Sequence, residues 1–335
     1  MIKLNHYISF KTLHNLIMIG LIFSGFLACQ NRKPTLGKKK IKNNFFASGR
    51  FDLNILPDNK KGEFIKYGYQ IITHTPSIIG PDVKNPDMRY AGNNLACTNC
   101  HLESGQKKFS APFVGVTGRF PQFRKRSNTL ATIEDRINGC MVRSMNGKKI
   151  PLDSKEMIAM VSYMQWLSRG VPAGKSVKGT GFLKIDPPDR KANLMHGKQI
   201  FLTNCVTCHG KNGQGKMVRP GDPSKGYIYP PLWGPDSFNN GAGMHRLLKA
   251  ADFIKGNMPF GTTYENPKLT DKEAYDVAAY INSKMRPNKK GKRKDYPDLS
   301  LKPIDCPYPP YADHFSQQQH QFGPFQPIIK ARKHH

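Results

Sequence analysis

The chain is 335 residues long, enough for two domains of ordinary size. Lysine and arginine number 52 against 23 acidic residues, a formal charge of +29. Such an excess marks a chain that meets anions. The export features at its start exclude nucleic acid, leaving small anions or an acidic electron-transfer partner.

The first 28 residues read as an export signal. Lys3, His6, Lys11 and His14 make a polar start, and Leu16 to Leu27 is one apolar run. A run of about a dozen residues is too short to cross a bilayer, where about 20 are needed. The run ends in Phe26-Leu27-Ala28-Cys29, which is similar to a bacterial lipobox. That likeness implies a lipid on Cys29 and a periplasmic protein tethered to the membrane; simple cleavage leaving a free Cys29 is the alternative. Residues 29–60 are basic and poor in apolar side chains, a tether rather than a packed element.

Residues 61–170 contain Cys97-Thr98-Asn99-Cys100-His101, and residues 190–287 contain Cys205-Val206-Thr207-Cys208-His209. The C-x-x-C-H spacing lets two thiols reach the vinyl groups of one porphyrin and sets the imidazole under the iron. Two heme c groups are therefore expected, held by Cys97, Cys100 and His101 and by Cys205, Cys208 and His209. Zinc also takes C-x-x-C pairs, but here neither pair has a second one to complete the tetrahedron.

Both motifs sit in an imperfect repeat. Gly68-Tyr69-Gln70-Ile71 precedes the first and Gly197-Lys198-Gln199-Ile200 the second. Downstream, Asp153-Ser154-Lys155-Glu156 and Thr270-Asp271-Lys272-Glu273 each offer a helix start with Glu three residues on. Met157, Met160, Val161, Met164 and Leu167 mark the apolar face of one closing helix; Ala274, Val277, Ala278, Ile281 and Met285 mark the other. Each unit thus reads helix, heme motif, irregular segment, closing helix. That order resembles class I cytochromes c and implies a mainly α chain of two such domains. Residues 171–189, rich in Gly, Pro and Lys, form the linker. The basic, Pro-rich tail, 288–335, shows no clear periodicity and is expected to lie over the surface of the domains.

In a class I cytochrome c the sixth ligand is a Met just before the closing helix. Met258 holds that place in the second unit, ahead of its rivals Met244 and Met217. In the first unit the place falls to Cys140. The segment from Thr132 to Gly147 reads as a helix, with Ile133, Ile137, Met141 and Met145 on one stripe and Arg136, Cys140 and Ser144 on the next. Three other readings stand for this position: a buried small hydrophobe, a disulfide with Cys306, or a bystander to Met141 as ligand.

Several longer strings resemble the diheme thiosulfate dehydrogenases. They are Asn94 through His101, Gly118-Arg119-Phe120-Pro121-Gln122-Phe123-Arg124, Arg136-Ile137-Asn138-Gly139-Cys140 and Arg143-Ser144-Met145-Asn146-Gly147. Pro231 through Pro235, Gly241-Ala242-Gly243-Met244 and Asn257-Met258-Pro259 continue the likeness, as does Gly323 through Pro327 in the tail. The resemblance implies that Cys140 is both the axial ligand of heme 1 and the reaction centre. It further implies that Arg126, Arg136 and Ser144 bind substrate and that two thiosulfates are coupled into tetrathionate, or the reverse. Thiolate ligation makes heme 1 low in potential and His/Met ligation makes heme 2 higher. Electrons then pass from heme 1 to heme 2 to an external acceptor such as another cytochrome. A diheme electron carrier without substrate chemistry is the alternative.

Overall fold

The computed structural model describes residues 45, 46 and 50–333; the export signal and Cys29 fall outside them. The described chain is mainly helical, with two short antiparallel ribbons, β1 (Gln122–Arg124) with β2 (Thr129–Ala131) and β3 (Lys216–Met217) with β4 (Tyr227–Tyr229).

In the first half, α1 (Lys60–Thr73) precedes the heme motif, α2 (Ile133–Met141) carries Cys140, and α3 (Lys155–Ser168) closes the unit. The Asn59 side chain caps α1 by accepting from Gly62 N at 3.1 Å. Ile71, Ile72, Met157 and Leu167 are fully enclosed between α1 and α3. Each such side chain contributes about 1.5–3 kcal/mol of apolar burial. In the second half, α4 (Leu194–Asn204), α5 (Leu247–Asn257) and α6 (Asp271–Asn282) repeat the plan, with Phe201, Ala274 and Val277 buried.

The repeat has a steric origin. A Cβ on Gly68 would collide with the Ala159 carbonyl oxygen where α1 crosses α3, with Tyr163 beside it. A Cβ on Gly197 would collide with the Asp276 carbonyl where α4 crosses α6, with Tyr280 beside it. In each unit glycine lets the leading helix touch the closing helix backbone to backbone, and a tyrosine fills the flank.

Four expectations need correction. The capping box forms at Thr270–Glu273, but not at Asp153–Glu156. There Ser154 is the cap, and Glu156 turns inward to accept from Tyr67 Oη at 3.0 Å. Met285 lies beyond the end of α6 and is 89% exposed, off the apolar face assigned to it. The last part of the tether is packed: Phe51 stands edge-on to Trp166, and Arg50 and Arg169 each donate to the other's carbonyl at 2.6 Å. The tail is not merely superficial either. It forms α7 (Gln317–Phe322) and α8 (Gln326–Lys333) and sends Phe322, Phe325 and Ile328 into the second core.

Candidate active site

Helix α2 starts at the expected Thr132 cap, whose hydroxyl accepts from Asp135 N while Asp135 accepts from Thr132 N in a capping box. Ile133, Ile137, Met141 and Met145 are all buried, as their spacing implies. The helix ends at Met141, short of the expected Gly147. Contacts from both halves of the chain hold the segment that follows. Asn239 donates from its side chain to Val142 O at 3.1 Å and from its backbone to Arg143 O at 3.2 Å. Asn93 Nδ2 donates to Ser144 O at 2.9 Å. The carbonyls of residues 142–144, which a helix running past Gly147 would pair with its own amides, are taken by these groups instead.

Arg136 and Cys140 on the neighbouring stripe, and Ser144 just past the helix end, line a cavity of about 350 Å³ that Cys97, Cys100 and His101 also line. Arg136 Nη1 donates to Cys140 Sγ at 2.7 Å. The His101 ring lies within hydrogen-bonding reach of the same sulfur. Burial alone would raise the Cys140 thiol, but the Arg136 charge and the His101 contact bring it down to about 6. Burial pushes Cys97 and Cys100 up instead, to about 11 and about 12. Of the three cysteines that line the cavity, Cys140 is the one whose surroundings favour the thiolate.

The imidazoles of both motifs are oriented alike. His101 Nδ1 donates to Ala111 O at 2.7 Å and His209 Nδ1 donates to Pro230 O at 2.8 Å. With Nδ1 committed to a carbonyl, Nε2 is the nitrogen left over, the one that would coordinate a metal. This donor set fits heme c in the first cavity: two thiols to attach it, and an imidazole and a thiol facing one another to hold the iron. In the second unit Cys205, Cys208 and His209 supply the same attachment set, and Met258 is half-buried at the C-terminal cap of α5. Its rivals lie elsewhere. Met217 packs against the first core, and Met244 lines the first cavity.

Arg126 stands apart from the cavity wall. Its Nη1 donates to Asp295 Oδ2 at 2.6 Å and to Tyr308 Oη at 2.8 Å, so that nitrogen is engaged by the tail. The reason is an acid that arrives from outside the domain, which a local reading of Arg126 does not contain. Cys140 and Cys306 are both free thiols, so the disulfide reading is set aside. Cys306 is buried beside Tyr296 and Tyr308.

The sequence did not reveal that the second half closes the first half's cavity. Phe238, Met244 and Lys249 line it, and Asp236 accepts from Asn94 N at 2.9 Å. Arg119 and Arg124 were also missed as part of the site's field. Both are held below their ordinary values by burial and by repulsion from Arg136, so a group of guanidinium charges gathers near the cavity.

A protein built on these two helical units is a c-type cytochrome that carries two hemes. Family comparison agrees: residues 88–173 match the SoxA/TsdA cytochrome c domain and residues 194–284 match the cytochrome c domain. A thiosulfate dehydrogenase of Psychrobacter arcticus is 42% identical over 247 residues, covering 74% of this chain and 71% of the relative. One from Allochromatium vinosum is 42% identical over 237 residues, covering 70% of this chain and 82% of the relative. The solved structure of the thiosulfate dehydrogenase TsdBA of Marichromatium purpuratum, in its as-isolated form, superposes with a TM-score of 0.64 at 32% identity. That match covers 72% of this chain and half of the longer solved chain. The chain belongs to the thiosulfate dehydrogenase family, and it is an oxidoreductase with two heme c groups.

Proposed function

We propose that this protein joins two thiosulfate dianions into tetrathionate in the periplasm, tethered there by a lipid on Cys29, and passes the electrons to an external acceptor. The arrangement that carries the reading is the Cys140 thiolate, held 2.7 Å from Arg136 on the wall of the motif-lined cavity. Residues 61–170 form the reacting unit and residues 190–287 the electron-transfer unit.

Cys97, Cys100, His101 and Cys140 would hold one heme and Cys205, Cys208, His209 and Met258 the other. When bound, the hemes supply an oxidant that accepts one electron at a time, with the second at higher potential than the first. The protein's own residues do the sulfur chemistry. Cys140 Sγ forms a sulfur–sulfur bond to the terminal sulfur of one thiosulfate, and two electrons leave. A second thiosulfate attacks that terminal sulfur, forming tetrathionate and returning Cys140 as thiolate. No proton is consumed or released at either step. Arg136 keeps the sulfur anionic and faces the incoming oxyanion, for which its planar fork is suited, and Ser144 offers a hydroxyl on the same wall. Tetrathionate reduction is the same sequence run backwards.

Steady-state kinetics of the purified diheme protein in both directions test this. Thiosulfate should reduce it with tetrathionate as product; a protein that neither thiosulfate reduces nor tetrathionate oxidises is an electron carrier instead.

A further inference from the structure

Three cations line the first cavity: Arg136, Lys184 and Lys249. Two are already engaged. Arg136 donates to Cys140 Sγ, and Lys184 Nζ pairs with Asp252 Oδ2 at 2.5 Å while its side chain is largely solvent-exposed. Lys249 differs. It rises from the first turn of α5 in the second half of the chain and reaches the first half's cavity with its stem beside Gly243. Its ammonium lies 5.6 Å over the Phe182 ring and has no hydrogen-bonded or carboxylate partner among the described residues. Asp305, the acid whose field reaches it, is bound to Arg246 and to Leu248 N.

Resting on the thiosulfate reading above, we infer that Lys249 is a substrate-binding residue, the ammonium that receives a sulfonate group in the cavity that Arg136 also lines. The reaction brings two dianions to a single thiolate, so one guanidinium already committed to that sulfur leaves charge uncompensated. A second cation from another part of the chain supplies the missing complement. A compact ammonium suits this place, because it meets a sulfonate from any direction and needs no bidentate register. Lys249 is also ill-served without a ligand. Burial first, then the Arg246 and Arg136 charges, depress it to about 8, and an arriving dianion relieves that stress. Asp305 acts in the opposite sense, and Lys184 adds to the repulsion.

The test compares the diheme wild type with Lys249→Gln and Lys249→Arg. Two measurements are made: thiosulfate kinetics, and calorimetric binding of inorganic sulfate to the oxidised protein. In Lys249→Gln, KM for thiosulfate should rise about tenfold or more, the loss expected of a charge-assisted contact. Its kcat should stay within about twofold, and sulfate should bind correspondingly more weakly. Lys249→Arg should recover most of the affinity, and heme spectra should be unchanged in both variants. Unaltered KM and sulfate affinity in Lys249→Gln would overturn the inference. So would a shifted heme 1 potential with unaltered affinity, which would assign the ammonium to the porphyrin carboxylates. If the wild type does not oxidise thiosulfate but binds sulfate through Lys249, the anion subsite stands and the thiosulfate reading falls.

Discussion

Asp295 in the tail and Arg126 in the first half of the chain form an ion pair at 2.6 Å, and the second oxygen of Asp295 takes Arg143 at the same distance. Asp295 is 9% exposed at its side chain, so solvent screens the pairs little. Asp295→Ala leaves two part-buried guanidiniums without their acid and should destabilise the holo-protein on the order of 3 kcal/mol. Chemical denaturation of the diheme form measures this. Arg126→Ala should show a loss of stability that exceeds its effect on thiosulfate affinity.

Arg136→Gln should behave in the opposite way. The side chain lies on a helix surface whose core stripe is Ile133, Ile137 and Met141, so folding and heme loading should survive. Removing a charge-assisted contact worth about 1.5–3 kcal/mol should weaken thiosulfate binding about tenfold to a hundredfold. Titration of initial rates with thiosulfate gives the comparison with Arg126→Ala directly.

Cys140→Met should give a folded protein with both hemes attached and no thiosulfate oxidation, because a thioether cannot form the persulfide-type bond. Cys306→Ala should keep full activity. It is 1% exposed and does not line the cavity, so a modest stability loss of about 1–2 kcal/mol is its only expected mark. Turnover by Cys140→Met with both hemes loaded would remove Cys140 from the reaction.

Gly68→Ala and Gly197→Ala should each damage the unit in which it lies. The added Cβ meets a backbone carbonyl that cannot swing away, so the helices must part. Overpacking at such a contact costs about 1–3 kcal/mol or more, and thermal unfolding of the two variants should show losses of similar size.

The depressed Lys249 value fixes a pH signature. Facing Arg246, Arg136, Lys184 and Asp305, the ammonium loses its proton near pH 8 rather than near 10.5. KM for thiosulfate should therefore be flat below pH 7 and rise through pH 8, and this limb should be missing in Lys249→Gln. Folding responds with the opposite sign. Between about pH 8 and about 10.4 the unfolded chain binds more protons at this residue, so its contribution to stability increases with pH.

Most of what the sequence disclosed is local. The heme motifs, the alternating faces of α2 and α3, the box at Thr270 and the paired glycines are all set by spacings of a few residues, and they folded as their chemistry implies. Arg136 and Cys140 met in one cavity because helical periodicity already put them on one stripe, whereas Ser144 reaches the same wall from the turn beyond the end of α2. Three of the errors share a different cause. The end of α2, the partner of Arg126 and the buried tail each depend on a residue more than 90 positions away, such as Asn239 or Asp295. Lys249 was silent for the same reason: on α5 it reads as one more solvated charge, and only the docking of α5 against the first half gives it a ligand to meet.

The cavity wall made by residues 236–249 has a consequence for how such a chain can be taken apart. Each half is recognisable as a cytochrome, and modules of this kind invite exchange between proteins. Here the reaction chamber is jointly owned. A chimera that keeps the thiol-bearing half and imports a foreign electron-relay half would inherit an unmatched wall in place of Phe238, Met244 and Lys249. To remain an enzyme it must carry that segment along, with Asn239 to dock it against Val142 and Arg143. The seam at which this protein could be recombined therefore does not coincide with the linker that separates its two hemes.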